Sequence, residues 1–298
     1  MQLDRRINGT TKLTGLIGNP VEHTVSPELH NSLFHYLGIN GIYVPLRVPA
    51  GGLKDAVKGL KASGFTGFNV TIPYKKDIIE CVDEVSEEVK LLGTANTVKI
   101  NEGRLFAYNT DAEGFVRAFS EQTGTGFKQK SVCVLGAGGT AKTLTMKIAM
   151  EGAAKLCIIN RTGEKAAELA EEVNRVQGKS GMPKIIAAAS DTAEALEMLS
   201  SCDIIVNTTS AGMHPDIERS PIQQNFVFHS RQMVYDVIYN PTQTRLLAQA
   251  KSSGCKTFNG AGMLFYQGVR AFEIFLDTVI PEKISSCLST EFLKFLGA

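Results

Sequence analysis

Residues 131–144 have the sequence SVCVLGAGGTAKTL, and this stretch decides the fold of the second half of the chain. An apolar run at 131–135 leads into Gly136, Gly138 and Ala141, which match the pattern G-x-G-x-x-G/A. Glycines at such a turn let backbone N–H groups approach a pyrophosphate at the positive end of the following helix. The stretch therefore predicts a strand, a phosphate-binding turn and a helix, although a tight turn of purely structural purpose has the same pattern.

Outward from this stretch, short apolar runs alternate with helical segments. Strands are predicted at 131–135, 155–160, 184–188, 203–207 and 233–237, and the first two helices at 140–151 and 164–177. Alternation of this kind is typical of a parallel, doubly wound sheet, so we expect a Rossmann-type α/β domain.

The end of the second predicted strand carries information about a dinucleotide. An NAD site usually has Asp or Glu there, to accept from the ribose 2′-hydroxyl. This chain instead has Asn160, Arg161 and Thr162, with Lys165 one turn into the next helix. A planar cation pairs with a 2′-phosphate, which a carboxylate would repel, so NADP is the predicted cofactor. The alternative is that Arg161 is an ordinary surface arginine.

The first hundred residues also mix strand and helix patterns. LTGLIG and GIYVPLRV resemble strands, and a helix is predicted over 27–37. Ser26 is expected to cap this helix, Pro27 to occupy its first position and Gly38 to end it. The final stretch, 262–298, has helical segments only and is expected to pack on the first domain. We thus predict an α/β protein with a first domain at 1–109, completed by 262–298, and a dinucleotide domain at 110–261.

The composition excludes several classes of protein. Of the 298 residues, 43% are hydrophobic and 20% charged, which argues against a mostly disordered chain and against a multi-span membrane protein. The formal charge of +1 indicates no nucleic-acid or membrane partner. The six cysteines form no CxxC pair, and His23, His30 and His35 lack metal-ligand spacing, so no metal is expected. The start, MQLDRRINGTTKL, has no apolar signal core, which favours a cytoplasmic location.

The segment GFNVTIPYKKD is unusual for a simple strand. Asn69 and Thr71 share one strand face, which would aim both side chains at the same cleft. Pro73 ends strand pairing and turns Lys75 back towards that cleft. A solvated lysine at a helix start is the alternative for Lys75.

Nine motifs follow one another in a fixed order: IGNPVEHTVSPELHN, NVTIPYK, GTANT, YNTDAEGF, GAGGTAK, NRT, NTTSAGM, YDVIYNP and GAGMLFYQG. Through them the chain closely resembles the shikimate dehydrogenase family over nearly its whole length. The resemblance implies a substrate domain completed by C-terminal helices, an NADP domain, and reversible reduction of 3-dehydroshikimate to shikimate in aromatic amino-acid biosynthesis. It is compatible with a monomer or a homodimer.

The resemblance also implies roles for individual residues. Lys75 and Asp111 match the catalytic pair. Substrate contacts are implied for Thr24, Ser26, Thr71, Lys75, Asn96, Asp111, Tyr239 and Gln267, with Thr24 and Ser26 at the substrate carboxylate and Asn96 and Asp111 at ring hydroxyls. Cofactor contacts are implied for Gly136, Ala137, Gly138, Gly139, Thr140, Asn160, Arg161, Thr162, Lys165, Val237 and Gly260.

Two residues depart from the family pattern. Thr24 replaces a serine of the carboxylate clamp, and Lys165 replaces a frequent arginine. The first change leaves open a quinate or dual quinate/shikimate dehydrogenase, and a catalytically inactive NADP-binding regulatory module is a more distant alternative. Simpler roles also exist: Asp111 as the cap of a helix at 112–119, and Asn96 as a turn residue.

Overall fold

The computed structural model describes residues 7–177 and 183–297. The chain divides into two compact units, Met1–Gly114 with Phe265–Phe292, and Phe115–Leu264 with Leu293–Ala298. Residues 1–6 of the predicted first domain, 178–182 of the predicted NADP domain and residue 298 lie outside the described residues.

The first unit is built on a mixed six-stranded sheet. Its strands are β1 (Lys12–Gly18), β2 (Gly41–Arg47), β3 (Phe65–Val70), β4 (Glu84–Val85), β5 (Thr97–Asn101) and β6 (Arg104–Tyr108), and its first helices are α1 (Ser26–Tyr36), α2 (Leu53–Ala62) and α3 (Glu87–Leu92). The strand order is β2-β1-β3-β5-β6-β4. Strands β1, β2 and β3 run parallel, whereas β5 is antiparallel to both β3 and β6.

The start of α1 differs from the prediction. The helix begins at Ser26, and Val25 is the N-cap residue with no side-chain cap bond. The Ser26 backbone N–H is bound instead by the Thr24 hydroxyl oxygen, at 3.3 Å. The prediction that Ser26 caps the helix was wrong, because Pro is tolerated throughout the first turn and does not fix the register of the cap. The predicted end is confirmed, since Gly38 follows the helix with a φ of +65°.

The second unit begins within α4 (Thr110–Thr123) and carries a fully parallel sheet. Its further elements are β7 (Ser131–Leu135), α5 (Gly139–Met150), β8 (Lys155–Asn160), α6 (Gly163–Gln177), β9 (Ile185–Ala189), α7 (Ala193–Ser201), β10 (Ile204–Asn207), β11 (Met233–Asp236), α8 (Arg245–Ser252) and β12 (Lys256–Phe258). The strand order β12-β11-β10-β7-β8-β9 reverses direction between β7 and β10. This arrangement confirms the predicted doubly wound sheet, in which ligands bind beside the carboxyl ends of the strands at that reversal.

Two C-terminal helices follow, α9 (Ala261–Leu276) and α10 (Glu282–Leu296). In the first unit the Phe272 ring of α9 packs edge-on against Phe34 of α1, with centroids 4.8 Å apart. Gly41 on β2 makes room for this packing, since a Cβ atom there would lie 2.2 Å from the Phe34 ring. The second unit has its own aromatic core of Phe115, Phe119, Phe127 and Tyr235. No helix within the described ranges is both long and apolar enough to cross a bilayer.

Candidate active site and cofactor cavity

The Lys75 and Asp111 side chains form an ion pair in the first unit. Lys75 Nζ donates to Asp111 Oδ2 at 2.6 Å. Lys75 follows β3 by way of Pro73, and Asp111 lies in the first turn of α4. The Lys75 and Asp111 side chains are 34% and 19% exposed, so the pair remains accessible to a small molecule. An ammonium held against a carboxylate can deliver a proton to a developing oxyanion and recover its orientation afterwards.

Asn96 holds the carboxylate of this pair from the other side. Its Nδ2 donates to Asp111 Oδ1 at 2.9 Å and to the Thr110 hydroxyl at 3.0 Å. Its Oδ1 accepts from the Thr110 backbone N–H at 2.8 Å and from the Thr97 hydroxyl at 3.0 Å. The side chain is only 3% exposed. These contacts show that Asn96 fixes Asp111, and its predicted contact with a ring hydroxyl stays a prediction.

The simpler alternative, in which Asp111 caps α4, was wrong. The helix begins at Thr110, and the Asn109 side-chain oxygen accepts the Asp111 backbone N–H at 3.1 Å. Asn109 therefore takes the capping role. Both carboxylate oxygens of Asp111 are left for Lys75 and Asn96.

Asn69 also differs from the expectation. It is 6% exposed, and its Oδ1 accepts from the Tyr43 hydroxyl at 2.8 Å. Its Nδ2 donates to the Asn96 carbonyl and to the Thr97 hydroxyl. Asn69 is thus a buried connecting residue and does not face a cleft, because the Tyr43 and Thr97 side chains of other strands in the same sheet enclose it. Strand alternation gives the face of a side chain but not what covers it.

The two predicted carboxylate-binding residues lie together before α1. The Thr24 hydroxyl donates to Ser26 Oγ at 3.2 Å, and both residues are half-buried. Two neutral hydroxyl groups at this spacing suit a carboxylate that must also be released.

Thr71 and Gln267 belong to the same unit as these residues. Thr71 directly follows β3, and its backbone N–H donates to the Ile17 carbonyl at 2.9 Å. Gln267 lies on α9, where Gly114 of α4 packs against it so closely that an added Cβ would be 2.5 Å from the Gln267 nitrogen. Their predicted substrate contacts stay predictions.

A cavity of about 500 Å³ lies in the second unit at the carboxyl ends of its strands. Of the predicted cofactor residues, it is lined by Gly136, Ala137, Gly138, Asn160, Arg161, Thr162 and Lys165. The turn after β7, the turn after β8 and the segment after β10 thus meet at one place, on both sides of the strand-order reversal. This is where a doubly wound sheet binds a dinucleotide.

The glycine turn between β7 and α5 combines one position that only glycine can occupy with two positions that face open space. Gly136 has a φ of +110°, and a Cβ atom there would lie 2.7 Å from the Thr208 hydroxyl, so only glycine fits. A Cβ on Gly138 or Gly139, in contrast, meets no described atom within 4 Å. Gly138 is the N-cap of α5 and provides no side-chain cap, which leaves backbone N–H groups free for an anion. Thr140 stands in the first turn of this helix.

Two positive side chains of the cavity, Arg161 and Lys165, have no ion-pair partner among the described residues. Arg161 and Lys165 are exposed, and Asn160 Nδ2 donates to the Thr162 carbonyl at 3.0 Å, which closes the turn that presents Arg161. Unpaired cations beside a helix N-terminus fit a phosphorylated ribose. The residues present therefore fit NADP.

The remaining predicted residues of the second unit do not line this cavity. The Val237 backbone N–H donates to the Asn207 carbonyl, and a Cβ on Gly260 would lie 1.9 Å from the Val237 oxygen. The glycine at 260 is thus required for close packing against Val237. Burial raises the pKa of Tyr239, which follows β11. Gly139 and Thr140 do not line it either. The predicted cofactor and substrate contacts of these five residues stay predictions.

Several cavity residues were missed from the sequence. Ser190, Thr209, Ser210, Asp216, Arg219 and Ser220 also line it. Arg219 adds a third cation, which lies 3.7 Å from the Asp216 carboxylate. The motif NTTSAGM pointed to the start of this segment, but its continuation has no recognisable pattern. In the described part of the chain no three His, Cys, Asp or Glu side chains are grouped to hold a metal ion.

Comparison with known proteins agrees with this geometry. A family model for the shikimate dehydrogenase substrate-binding domain matches residues 16–98, and one for shikimate/quinate 5-dehydrogenase matches residues 118–242. The chain is 39% identical over 286 residues to shikimate dehydrogenase (NADP(+)) of Alkaliphilus oremlandii, which covers 92% of this chain and 95% of that protein.

Solved structures give the same result. Shikimate 5-dehydrogenase from Listeria monocytogenes, in complex with shikimate and NAD, is 32% identical with a TM-score of 0.87, over 97% of this chain and 100% of that one. Quinate dehydrogenase from Corynebacterium glutamicum, in complex with NAD, is 29% identical with a TM-score of 0.85, over 95% and 99%. This chain belongs to the shikimate dehydrogenase family.

Proposed function

We propose that this protein is an NADP-dependent dehydrogenase that interconverts 3-dehydroshikimate and shikimate. The observation that carries the proposal is the Lys75–Asp111 pair, 2.6 Å apart and fixed by Asn96. A module that only bound NADP would have no use for a proton donor held in this way. Relatives named shikimate dehydrogenase (NADP(+)) support the substrate and the cofactor.

Lys75 is the proton-transfer residue in this proposal. Bound NADPH supplies the hydride, and its addition to the ketone carbon turns the carbonyl oxygen into an alkoxide. The Lys75 ammonium donates a proton to that oxygen, and in the reverse direction the amine takes the hydroxyl proton. Asp111 keeps the ammonium aimed at the reacting oxygen and accepts from a neighbouring ring hydroxyl.

Thr24 and Ser26 hold the substrate carboxylate through their hydroxyl groups. The support for this assignment is their 3.2 Å separation and their half-buried position. Thr71, Asn96, Tyr239 and Gln267 are assigned the remaining substrate contacts by the motif match. Because Thr24 adds one methyl group where the family commonly has serine, it narrows the clamp around the carbon that bears the carboxylate.

The second unit is the NADP domain, and the first unit is the substrate domain. For the cofactor, backbone N–H groups at Gly138 and Gly139 would hold the pyrophosphate. Arg161, Thr162 and Lys165 would hold the 2′-phosphate, with a planar guanidinium as the strongest partner.

Quinate is the second candidate substrate. The quinate dehydrogenase of C. glutamicum shares this fold, and Thr24 alters the clamp at which the two substrates differ. Quinate has an extra hydroxyl on the carbon bearing the carboxylate, where the Thr24 methyl leaves less room. We therefore assign shikimate as the preferred substrate.

Steady-state oxidation of shikimate and quinate, each with NADP and with NAD, tests these assignments. We expect the highest kcat/KM for shikimate with NADP. A higher kcat/KM for quinate would show that quinate, not shikimate, is the preferred substrate. If neither compound were oxidised, the proposed catalytic activity would be refuted and only a binding function would remain.

The six cysteines are free thiols, which supports a cytoplasmic location. We also assign a monomeric or homodimeric state, which rests on the family resemblance. Light scattering on the purified protein distinguishes the two states.

A further inference from the structure

Residues 208–221, which follow β10, form one wall of the cofactor cavity. Two charged side chains of this segment, Asp216 and Arg219, line the cavity together with Arg161 and Lys165. The cofactor contacts assigned so far use the turns after β7 and β8 and leave this segment without a role. Its arginine is therefore a third cation in the same cavity whose partner is still to be assigned.

The start of the 208–221 segment lies directly against the glycine turn. The Thr208 hydroxyl donates to the Leu135 carbonyl at 2.6 Å, and a Cβ atom on Gly136 would lie 2.7 Å from that hydroxyl. In the sheet, β10 is bonded to β7 on one side, and β8 is bonded to β7 on the other. The segment thus borders the turn proposed to hold the pyrophosphate, whereas the turn that carries Arg161 lies on the far side of β7.

The backbone of Arg219 is held close to this start. Its N–H donates to the Asp216 carbonyl at 3.1 Å, and its carbonyl oxygen would lie only 3.2 Å from a Cβ atom on Gly212. The neighbouring Glu218 is bound by Arg245 of α8, through its carbonyl at 3.3 Å and its carboxylate at 2.7 Å. The segment therefore folds back on itself, and Arg219 returns to the side of the cavity that faces the glycine turn.

The Arg219 side chain, in contrast, is only weakly engaged. Its guanidinium lies 3.7 Å from the Asp216 carboxylate, which is longer than a hydrogen bond, and the two side chains are 61% and 66% exposed. An exposed ion pair of this kind contributes little free energy. A phosphate oxygen, which can accept two parallel N–H bonds from an arginine, is a stronger partner.

The charges of the cavity leave a place for such a partner. A 2′-phosphate carries a charge of roughly −1.5 to −2, which Arg161 and Lys165 together balance. The pyrophosphate adds a further negative charge on each of its phosphates, and the N-terminus of α5 supplies only about half a positive charge. Arg219 is the remaining cation among the described residues that line the cavity.

We propose that Arg219 binds the pyrophosphate of the dinucleotide and leaves Asp216 when the cofactor enters. This inference rests on the proposed function and adds a residue to its cofactor site. Because NADP and NAD share the pyrophosphate, Arg219 contributes to the affinity for both cofactors, whereas Arg161 determines the preference for NADP.

Arg219→Ala tests the inference by calorimetric titration with NADP and with NAD, in the absence of substrate. We expect both Kd values to rise by the same factor, about five- to twentyfold, near the lower end for a charge-assisted hydrogen bond because the arginine is exposed. Arg219→Lys keeps the charge and should lose less affinity. Arg231→Ala is the matched control, since this exposed arginine precedes β11 in the same unit and does not line the cavity.

A double substitution separates the two phosphate sites. In Arg161→Ala/Arg219→Ala the loss of NADP affinity should equal the product of the single losses, and the loss of NAD affinity should equal that of Arg219→Ala alone. A loss confined to NADP in Arg219→Ala would move this arginine to the 2′-phosphate and overturn the inference. Unchanged affinity for both cofactors would overturn it as well, while leaving the proposed function intact.

Asp216→Asn serves as a second variant, and it keeps Arg219 in place. Removal of the competing carboxylate should lower Kd for NADP and for NAD, by up to about threefold. An unchanged or raised Kd would contradict the release of Arg219 from Asp216. If the unmodified protein bound no NADP in these titrations, the proposed function would be refuted, and the inference with it.

Discussion

The substrate residues of the first unit and the cofactor cavity of the second treat charge in opposite ways. Lys75 and Asp111 neutralise each other at 2.6 Å, and Asn96 fixes the pair. Arg161 and Lys165, in contrast, are exposed and have no ion pair among the described residues. A proton donor must be held in the correct orientation before the reaction begins. A phosphate, in contrast, carries its own negative charge, so it can pair with cations that have no partner in the protein. The Lys75–Asp111 region is therefore preorganised by its own contacts, whereas the cavity of the second unit is complementary in charge to an anion.

The largest effect is expected from Lys75→Ala. Loss of the proton donor should lower kcat by about 10²- to 10⁴-fold, with a smaller change in KM. Lys76→Ala, at the exposed neighbouring lysine, should leave kcat unchanged. Asp111→Asn should also lower kcat, and the double variant should cost much less than the product of the two single effects. Multiplicative losses would show that the pair does not act as a unit.

Arg161→Ala tests the cavity of the second unit. NADP binding should weaken by roughly 1.5 to 3 kcal/mol, the range of a charge-assisted hydrogen bond, while NAD binding stays nearly the same. Calorimetric titration with both cofactors measures this difference. Arg175→Ala, also on the exposed surface at the far end of α6, provides the control. An equal loss with NADP and NAD would remove Arg161 from the 2′-phosphate site.

One buried group in each unit should also make stability respond oppositely to acid. Burial lowers the pKa of His30 to about 3, below its unfolded value near 6.5, so its contribution to stability is present above pH 6.5 and is lost on acidification. From pH 7 to pH 5 this loss amounts to about 2 kcal/mol. Urea unfolding should show that His30→Phe lacks this loss. If the free energies of unfolding of the unmodified protein and His30→Phe differed by the same amount at pH 7 and pH 5, this role of His30 would be contradicted.

Asp236 in the second unit is the counterpart. Burial raises its pKa to about 6, above the unfolded value near 3.8, so the folded protein binds more protons and gains stability as the pH falls through 6. The gain from pH 7 to pH 5 is about 1 kcal/mol. Asp236→Asn should abolish it in the same unfolding experiment.

Thr24→Ser should have the smallest effect. It keeps the hydroxyl that donates to Ser26 and removes one methyl group, so kcat/KM for shikimate should change by less than about threefold. The added room should favour quinate, and the ratio of the two kcat/KM values measures this. A large loss with shikimate would show that the methyl group packs against the substrate.

Local patterns predicted the parallel sheet well. Strands β7 and β8 have the predicted bounds, 131–135 and 155–160; β10 and β11 differ by one residue at one end, and β9 is displaced by one residue at both ends. Each strand is a short apolar run between turn signals, and both faces of a parallel sheet are covered, so hydrophobicity alone marks it. The glycine turn and Arg161 were visible for the same reason, since neighbouring residues in sequence form them.

Residues that act over long sequence distances were harder to predict. Ser26 was assigned a cap it does not provide, and Asn69 was assigned to a cleft although the Tyr43 and Thr97 side chains enclose it. The partner of Lys75 lies 36 residues away and came from the motif match, not from spacing. Arg219 was missed because nothing near it in sequence marks a ligand site.

The sequence by itself thus determined the doubly wound sheet, the glycine turn after β7 and the position of Arg161 after β8, because each depends on residues within one strand, turn and helix. Only the tertiary structure decided which polar side chains are connected from Tyr43 to Lys75. Those contacts join β2, β3, β5 and α4, and their partners are set by sheet order and burial, where each buried polar atom must find a hydrogen bond from another element.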